Sequence, residues 1–430
     1  MALAVSRKRL LNRLAELAEI GAIEGTSGSS RLAFTAADGA GRDLVVGWMI
    51  ELGLDVSIDE IGNVVGRWSP PGSDPQAAPI MVGSHIDTVA TGGRYDGNLG
   101  VLAGLEVIET LAGAGSKTGD GALTRPLAVA FFANEEGSRF APDMMGSLVY
   151  VGGLALEEAL ATVGIDGAIV GDELDRIGYR GTMPCPGPPP AAYVELHIEQ
   201  GPVLERTETA IGVVTGVQGI SWTEVVIGGQ SNHAGTTPMD LRRDAGYAAA
   251  RVATFVRSLA EELGPPQVAT VGALSLHPNL VNVVAASATI TVDLRNTDDG
   301  VLSEAESRLI AFLDELAVEE QVEIATRTLA RFAPVSFDER VVDLVDKVAV
   351  ELGLSTRRMP SGAGHDAQML ARVCPAAIIF TPSRDGISHN PAEYTEPDQL
   401  EAGANVLLGA VTALASTDLP LLAPDEGNSR

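Results

Sequence analysis

Histidines and carboxylates follow short apolar runs at several points in this sequence, and together they could bind metal ions. His85 lies in the segment GSHIDT, and Asp96 follows it in GGRYDG. The segment NEEG supplies the adjacent carboxylates Glu135 and Glu136, and His197 lies in ELHIEQG. Imidazole and carboxylate groups are common ligands of divalent cations. Their combination indicates a hydrolytic centre built around two metal ions.

The first two segments each allow a functional and an ordinary interpretation. Asp87 could fix the tautomer of a metal-bound His85, as carboxylates beside such histidines do, or it could cap a loop. Asp96 stands among glycines, which is typical of a turn, although the same glycines would let its carboxylate approach a metal closely. For these three residues alone, both interpretations stay open.

The remaining segments are equally open when each is taken alone. Glu135 and Glu136 follow an apolar run, where two adjacent carboxylates repel each other unless cations compensate their charge; a solvated loop is the alternative. His197 alternates with apolar neighbours and could instead face water from an edge strand. His389, in GISHNP, again follows an apolar run and a turn. The combination of all the segments, rather than any one of them, favours a metal centre.

The elements that must position these side chains can be predicted from apolar patterning. Short apolar runs, typical of strands buried on both faces, occupy 80–83, 127–133 and 376–380. Apolar residues at helical spacing occupy 10–20, 101–111, 341–352 and 400–414. This alternation predicts an α/β fold whose mixed, largely parallel sheet is flanked by helices. Open sheets of this kind place ligand sites at the carboxyl ends of their strands, where His85 would lie.

The middle of the chain has a different pattern. Strand, helix, strand, strand, helix and strand are predicted over 213–227, 244–263, 268–276, 288–294, 303–316 and 322–327. This βαββαβ order is that of a ferredoxin-like sandwich. We therefore expect a domain at 213–328 inserted into a catalytic domain formed by 1–212 and 329–430.

Composition restricts the class of protein without naming its function. The 57 acidic and 29 basic residues leave a net charge of -28, which argues against nucleic-acid and anionic-membrane partners because both require a positive surface. No apolar run is long enough to span a membrane. Cys185 and Cys374 are the two cysteines, so a disulfide framework is not expected and the cytoplasm is the predicted location.

Taken together and in order, the motifs resemble those of a known family. GSHIDT, GGRYDG, NEEG, ELHIEQG, HAGTTPM and SGAGHDA are similar to the motifs of the amidohydrolase branch of the M20 metallopeptidases. That branch contains N-carbamoyl-L-amino-acid hydrolases, allantoate amidohydrolases and β-ureidopropionases. The resemblance covers nearly the whole chain and is specific for the branch rather than for one substrate. It implies metal-dependent hydrolysis of a carbamoyl C–N bond, giving an L-amino acid, carbon dioxide and ammonia.

The resemblance also implies a complete set of ligands for two divalent ions per subunit, with zinc, manganese, cobalt and nickel as the candidates. One ion would be held by His85, Asp96 and His197, and the other by Asp96, Glu136 and His389. Asp96 would bridge the two ions. The M20 peptidases commonly have a carboxylate at the position of His197, so this histidine favours the amidohydrolase branch. Glu135 resembles the general base of the family, and Asp87 the carboxylate that orients His85.

Further residues acquire roles from the same resemblance. The protein would be a homodimer joined through the inserted domain. His233 would reach the active site of the neighbouring subunit and stabilise the oxyanion that forms on the substrate there. Asn282 and Arg295 match residues that bind the substrate carboxylate, and the remaining predicted substrate contacts are Gln200, Gly362 and Gly364. Without the resemblance, His233 is a surface histidine and Arg295 pairs with Asp293. For His277 and His365, a structural role is the preferred interpretation.

Other functions stay open at this point. Hydrolysis of allantoate or N-carbamoyl-β-alanine would use the same mechanism, because these substrates differ in groups that the motifs do not read. An aminoacylase or dipeptidase is less compatible with His197. A binding protein that retains the fold without catalysis would be expected to have lost some of the ligands, whereas the predicted set is complete.

Overall fold

The computed structural model describes residues 3–114 and 122–416. They form two compact units, of which the first comprises Met1–Thr215 with Phe337–Arg430 and the second comprises Gly216–Ser336. The predicted domains 1–212, 213–328 and 329–430 stay a prediction, because a compact unit need not be a segment that folds independently.

The described residues contain the following regular elements. The strands are β1 Asp55–Ile58, β2 Val64–Trp68, β3 Ile80–His85, β4 Leu127–Phe132, β5 Ala192–Ile198, β6 Ile211–Val217, β7 Gly219–Gly228, β8 Val268–His277, β9 Ser287–Asn296, β10 Glu323–Phe332, β11 Val335–Ser336, β12 Thr356–Ser361 and β13 Ala376–Thr381. The helices are α1 Arg7–Glu19, α2 Ala36–Glu51, α3 Asn98–Gly113, α4 Met145–Tyr150, α5 Leu156–Leu160, α6 Val170–Ile177, α7 Val203–Arg206, α8 Ala245–Leu263, α9 Asp299–Glu319, α10 Glu339–Glu351, α11 Asp366–Leu370 and α12 Pro397–Ser416. None of these helices is both long and apolar enough to cross a membrane.

The larger sheet has nine strands in the order β1-β2-β4-β3-β5-β13-β6-β11, and β12 pairs with β6. At its centre β4, β3, β5 and β13 run parallel to one another, and every residue of these four strands is buried. Because parallel strands share a direction, their carboxyl ends lie along one edge of the sheet. The predicted mixed, largely parallel α/β fold is confirmed, and its central strands deliver the predicted ligands to that edge.

Helix α3 packs closely on the two strands that carry histidine ligands. A Cβ atom at Gly100 would lie 2.7 Å from the carbonyl oxygen of Leu196 in β5 and 2.8 Å from that of Gly83 in β3. Glycine at this position therefore lets the first turn of α3 contact the backbone of both strands. The helix begins at Asn98, directly after the turn that contains Asp96.

The second unit has its own four-stranded antiparallel sheet in the order β10-β7-β9-β8. Helices α8 and α9 contribute their apolar faces to an aliphatic core with the buried faces of β7 and β9. The predicted single strand at 213–227 is wrong in one respect, because the chain leaves the strand at Gln218 and forms β6 and β7. The reason is that these two strands hydrogen-bond in different sheets. From β7 onward the order is the predicted βαββαβ.

Candidate metal centre

Four parallel strands bring the predicted ligands to one place. His85 is the last residue of β3, and His197 is the second-last residue of β5. Glu136 follows the end of β4, and His389 follows the end of β13. The alternative that His197 faces water from an edge strand does not apply, because β5 lies between β3 and β13 and the histidine is buried.

Asp96 is the group that these residues share. Its Oδ1 lies 3.1 Å from His197 Nε2 and 3.5 Å from His85 Nε2. Its Oδ2 lies 3.4 Å from His389 Nε2, which in turn lies 3.1 Å from Glu136 Oε2. The structure thus forms two candidate metal-binding groups, and Asp96 directs one carboxylate oxygen to each of them.

The hydrogen bonds of the two buried histidines suit metal binding. His85 Nδ1 lies 2.9 Å from the carbonyl oxygen of Asp87, and His197 Nδ1 lies 2.8 Å from that of Ile198. A carbonyl oxygen only accepts, so each Nδ1 carries a proton and Nε2 is the ring nitrogen left to bind a cation. Both Nε2 atoms point toward Asp96, and donors of this type fit a divalent cation.

Asp87 contacts His85 in a different way from that predicted. Its backbone carbonyl accepts the imidazole N–H, whereas its carboxylate oxygen lies 4.0 Å from the same nitrogen. The carboxylate instead accepts the backbone N–H groups of Glu135 and Glu136, at 3.2 and 3.3 Å. Asp87 therefore orients the histidine through its main chain and fixes the NEEG segment through its side chain.

Glycine is required at one turn of the centre. Gly97 has a φ of 64°, and a Cβ atom there would lie 2.4 Å from the imidazole ring of His85. A larger residue would be strained in this backbone conformation and would also push the ring away. The turn can therefore bring Asp96 and His85 together only with glycine next to the aspartate.

Negative charge dominates the electrostatics of the centre. Burial raises the pKa of Glu135 well above its usual range, and the nearby charges of Asp366, Glu136 and Asp96 add to this effect although His85 opposes it. Hydrogen bonds to Asp96 and Glu136 raise the pKa of His389 to about 10. Carboxylates this close to one another favour any positive charge placed between them. A cation would supply that charge, so the residues present fit a metal ion.

Glu195, His197 and His365 form a third group of possible metal ligands. Glu195 and His365, however, already form hydrogen bonds with other protein groups. Glu195 accepts the hydroxyl of Ser84 at 2.6 Å and the backbone N–H of Ala367 at 2.9 Å. His365 Nε2 lies 3.0 Å from Ser361 Oγ, and its ring packs against that of His197 with 4.5 Å between centroids. These contacts agree with the structural role expected for His365.

The structure also contains a support that the sequence did not indicate. The side chain of Arg31 is fully buried. Its guanidinium donates to the carbonyl of Ile86 and to the side-chain oxygen of Asn98, both at 2.8 Å. One arginine thereby links the segment after His85 to the segment after Asp96. Neither helical nor strand periodicity would single it out, because its bonds to Ile86 and Asn98 join segments that are far away in the chain.

Three of the predicted substrate contacts lie in the first unit. Gln200 donates through Nε2 to Asp96 Oδ2 at 2.8 Å, so it lies at the shared carboxylate. Gly362 is exposed, and Gly364 is partly exposed. A Cβ atom at Gly364 would lie 2.8 Å from the terminal methyl of Met144, whose backbone N–H bonds to the carbonyl of Glu135.

The other predicted contacts lie in the second unit. His233 and Asn282 are both exposed, and their segments are joined by a hydrogen bond of 2.9 Å from the Ala234 N–H to the Asn282 carbonyl. Arg295 forms a bidentate ion pair with Asp293, with contacts of 2.9 to 3.1 Å. The ion pair with Asp293, which the sequence offered as the alternative to substrate binding by Arg295, is therefore present.

Comparison with known proteins gives full-length matches. N-carbamoyl-L-amino-acid amidohydrolase of Rhizobium meliloti is 41% identical over 412 residues, which cover 96% of this chain and 97% of that protein. Allantoate amidohydrolase of Bacillus subtilis is 34% identical over 413 residues, which cover 93% and 95%. The crystal structure of a hydantoinase/carbamoylase family amidase from Burkholderia multivorans matches with a TM-score of 0.92 and 45% identity, over 97% of this chain and 100% of that one.

The family profile agrees with these individual matches. The profile described as peptidase family M20/M25/M40 matches residues 81–413, which include every predicted metal ligand. The prediction of a hydrolase of this type is confirmed. The chain therefore belongs to the peptidase family M20/M25/M40.

Proposed function

We propose that this hydrolase cleaves the carbamoyl C–N bond of N-carbamoyl-L-amino acids. The observation that carries the proposal is the shared carboxylate of Asp96, which directs one oxygen to each of two histidine-containing groups beside the buried Glu135. The full-length relative with 41% identity has this activity in its name. Allantoate amidohydrolases match at 34% and 38% identity, and their reaction is the alternative.

The two groups would hold two divalent cations per subunit. The first consists of His85, Asp96 and His197, and the second consists of Asp96, Glu136 and His389. Their nitrogen and oxygen donors suit zinc, manganese, cobalt or nickel. When bound, such cations act as Lewis acids that polarise a carbonyl and make water a stronger acid. A ureido carbonyl needs this help because two nitrogens donate electrons into it.

Glu135 would act as the general base. Its carboxylate is buried and lies 3.3 Å from His85 Nε2, so it borders the centre without belonging to either group of three. It would accept a proton from the attacking water while the water oxygen bonds to the ureido carbon. The same proton would pass to the leaving amino nitrogen as its C–N bond breaks. The products would be the amino acid and carbamic acid, which decomposes to carbon dioxide and ammonia.

The remaining residues would recognise the substrate. Arg295 suits a substrate carboxylate because its planar guanidinium can form two parallel hydrogen bonds, and Asn282 would add an amide donor. His233 would stabilise the oxyanion formed by attack on the carbonyl. Further contacts would come from Gln200, Gly362 and Gly364.

The active form would be a homodimer joined through the second unit. Strand β8 is at the edge of its sheet, and it exposes the apolar side chains of Val268, Leu274 and Leu276. An exposed apolar edge strand is a ready site for pairing with another chain, and a second copy is the partner we propose. In this dimer His233 would serve the active site of the neighbouring subunit.

The proposed location is the cytoplasm, and the proposed partner is a small molecule. Cys185 and Cys374 are both free thiols, which is typical of reducing compartments. The net charge of -28 disfavours contact with nucleic acid or anionic lipid.

The reaction can be tested by measuring ammonia release from a panel of substrates. N-carbamoyl-L-amino acids should be turned over, whereas their D-forms, N-carbamoyl-β-alanine and allantoate should be poorer. Chelation should abolish the release, and addition of manganese, cobalt, nickel or zinc should restore it. A higher kcat/KM on allantoate would assign the alternative reaction. Absence of metal-dependent release from every compound would refute the proposal.

Substitution of the two adjacent glutamates separates the proposed base from the proposed ligand. Glu135→Gln should retain the wild-type metal content and reduce kcat by about 10²- to 10⁴-fold, because a proton acceptor is lost. Glu136→Gln serves as the matched variant and should lower the metal content, measured by elemental analysis of dialysed protein. A Glu135→Gln enzyme with near wild-type kcat would show that the base has been assigned to the wrong residue.

Arg295→Ala tests recognition of the substrate carboxylate. A charged hydrogen bond contributes about 1.5–3 kcal/mol, so kcat/KM should fall about 10- to 100-fold, mainly through KM. The uncharged amide of the same N-carbamoyl amino acid should be hydrolysed as by wild type. Arg327→Ala is the control, because Arg327 pairs with Glu224 in the same sheet and is exposed. Equal losses on the acid and the amide would contradict the assignment and favour a structural pair with Asp293.

Subunit mixing tests whether His233 acts on the neighbouring subunit. His233→Ala and Glu135→Gln should each be nearly inactive alone. After unfolding and joint refolding at equal amounts, about a quarter of wild-type activity should return, because half of the dimers are mixed and each mixed dimer has one intact site. Light scattering would establish the oligomeric state of the same samples. No recovery in mixed dimers would contradict action in the neighbouring subunit.

A further inference from the structure

The carboxylate of Glu393 connects two loops of the metal centre. The residue follows His389 in the motif HNPAEYT, and its side chain is almost fully buried. Its Oε1 accepts the backbone N–H of Tyr95 at 3.0 Å and that of Asp96 at 3.2 Å. Its Oε2 accepts the hydroxyl of Ser388, the neighbour of His389, at 2.9 Å. One side chain therefore contacts the backbone of the shared aspartate and the loop of a histidine ligand.

The turn before Asp96 has a space that this carboxylate fills. A Cβ atom at Gly93 would lie 2.1 Å from Glu393 Oε1 and 2.2 Å from the carboxyl carbon. The side chain could not reach the two backbone N–H groups past any larger residue. Ser388 adds a second connection, because its Oγ lies 3.0 Å from Asp96 Oδ2 as well as 2.9 Å from Glu393.

The two loops need such a connection more than the strands do. His85 and His197 belong to buried central strands, whose ladders hold them in place. Asp96 and His389 lie in irregular segments far apart in the sequence, and the side chain of His389 is 50% exposed. A ligand on an exposed loop has several positions available, and each would have to be lost when a cation binds.

We propose that Glu393 is a positioning residue that keeps Asp96 and His389 at the separation required by the second group of ligands. The inference rests on the proposed two-ion centre. Loss of Glu393 should weaken the group formed by Asp96, Glu136 and His389 more than the group formed by His85, Asp96 and His197. The reason is that both segments bonded to Glu393 contribute to the former, whereas the latter keeps two strand-borne histidines.

Cobalt titration of the metal-free full-length chain tests this inference independently of turnover. Wild type should bind two equivalents of cobalt per chain, and binding would be measured by visible absorption and by calorimetry. Glu393→Ala should retain one tight equivalent and bind the second about 10- to 100-fold more weakly, as is usual when a partner of a ligand is removed. Glu393→Gln keeps an oxygen for the two backbone N–H groups but loses the negative charge, so it should still weaken the second equivalent, by less than Glu393→Ala does. Glu396→Ala is the matched control, because Glu396 pairs with Arg384 on the same segment and is exposed.

The outcomes distinguish this inference from the proposed function. Two wild-type equivalents with unchanged binding in Glu393→Ala would overturn the role of Glu393 and leave the two-ion centre standing. Fewer than two equivalents in wild type would overturn the two-ion centre itself. Circular dichroism would identify a failure to fold. If Glu393→Ala does not fold, Glu393→Gln decides, since selective weakening of the second equivalent supports the inference and wild-type binding overturns it.

Discussion

Asp96 carries a buried carboxylate among three imidazoles, and a charge in that position must be compensated by its neighbours. Hydrogen bonds to His197, His389 and His85 keep the pKa of Asp96 well below its usual value, against the opposing effect of burial. Gln200 donates to the same carboxylate, and Ser388 Oγ lies 3.0 Å from it. The three histidines are therefore positioned around one acidic group, and a displacement of Asp96 would disturb both candidate groups together.

The surroundings of Asp96 show how a turn can be made rigid. Glu393 accepts the backbone N–H groups of Tyr95 and Asp96 within the turn, and Arg31 donates to the side chain of Asn98 directly after it. Burial lowers the pKa of Arg31 to about 10, so the guanidinium keeps its charge near neutral pH and its hydrogen bonds stay charge-assisted. Helix α3 begins directly behind the turn and packs on β3 and β5. The turn that contains Asp96 is therefore held in a fixed position relative to the sheet, although it is not part of a strand.

Three of the four central strands, β3, β4 and β13, could be predicted because they depend on local apolar runs, whereas the set of metal ligands was implied by the resemblance of the motifs. Four-residue and longer apolar runs indicate buried strands, and a polar residue at the end of such a run stands out. Glu393 and Arg31 could not be found in this way, since each acts by joining segments that are distant in sequence. The contacts of the Asp87 carboxylate were hidden for a related reason: only the three-dimensional arrangement shows that it accepts the backbone N–H groups of Glu135 and Glu136. The break at Gln218 likewise depends on which sheet each strand joins.

The ion pair of Arg295 with Asp293 bears on how a strongly acidic protein could bind an anionic substrate. The net charge of -28 repels anions at long range, but salt screens exposed charges beyond about 8 Å under physiological conditions. Binding then depends on nearby donors. Asp293 fixes the guanidinium through two-point contact, so less side-chain freedom would be lost when a substrate carboxylate arrives. The ion pair with Asp293 can therefore orient Arg295 for substrate binding rather than compete with it. The carboxylate of Asp293 also weakens the positive potential of the guanidinium.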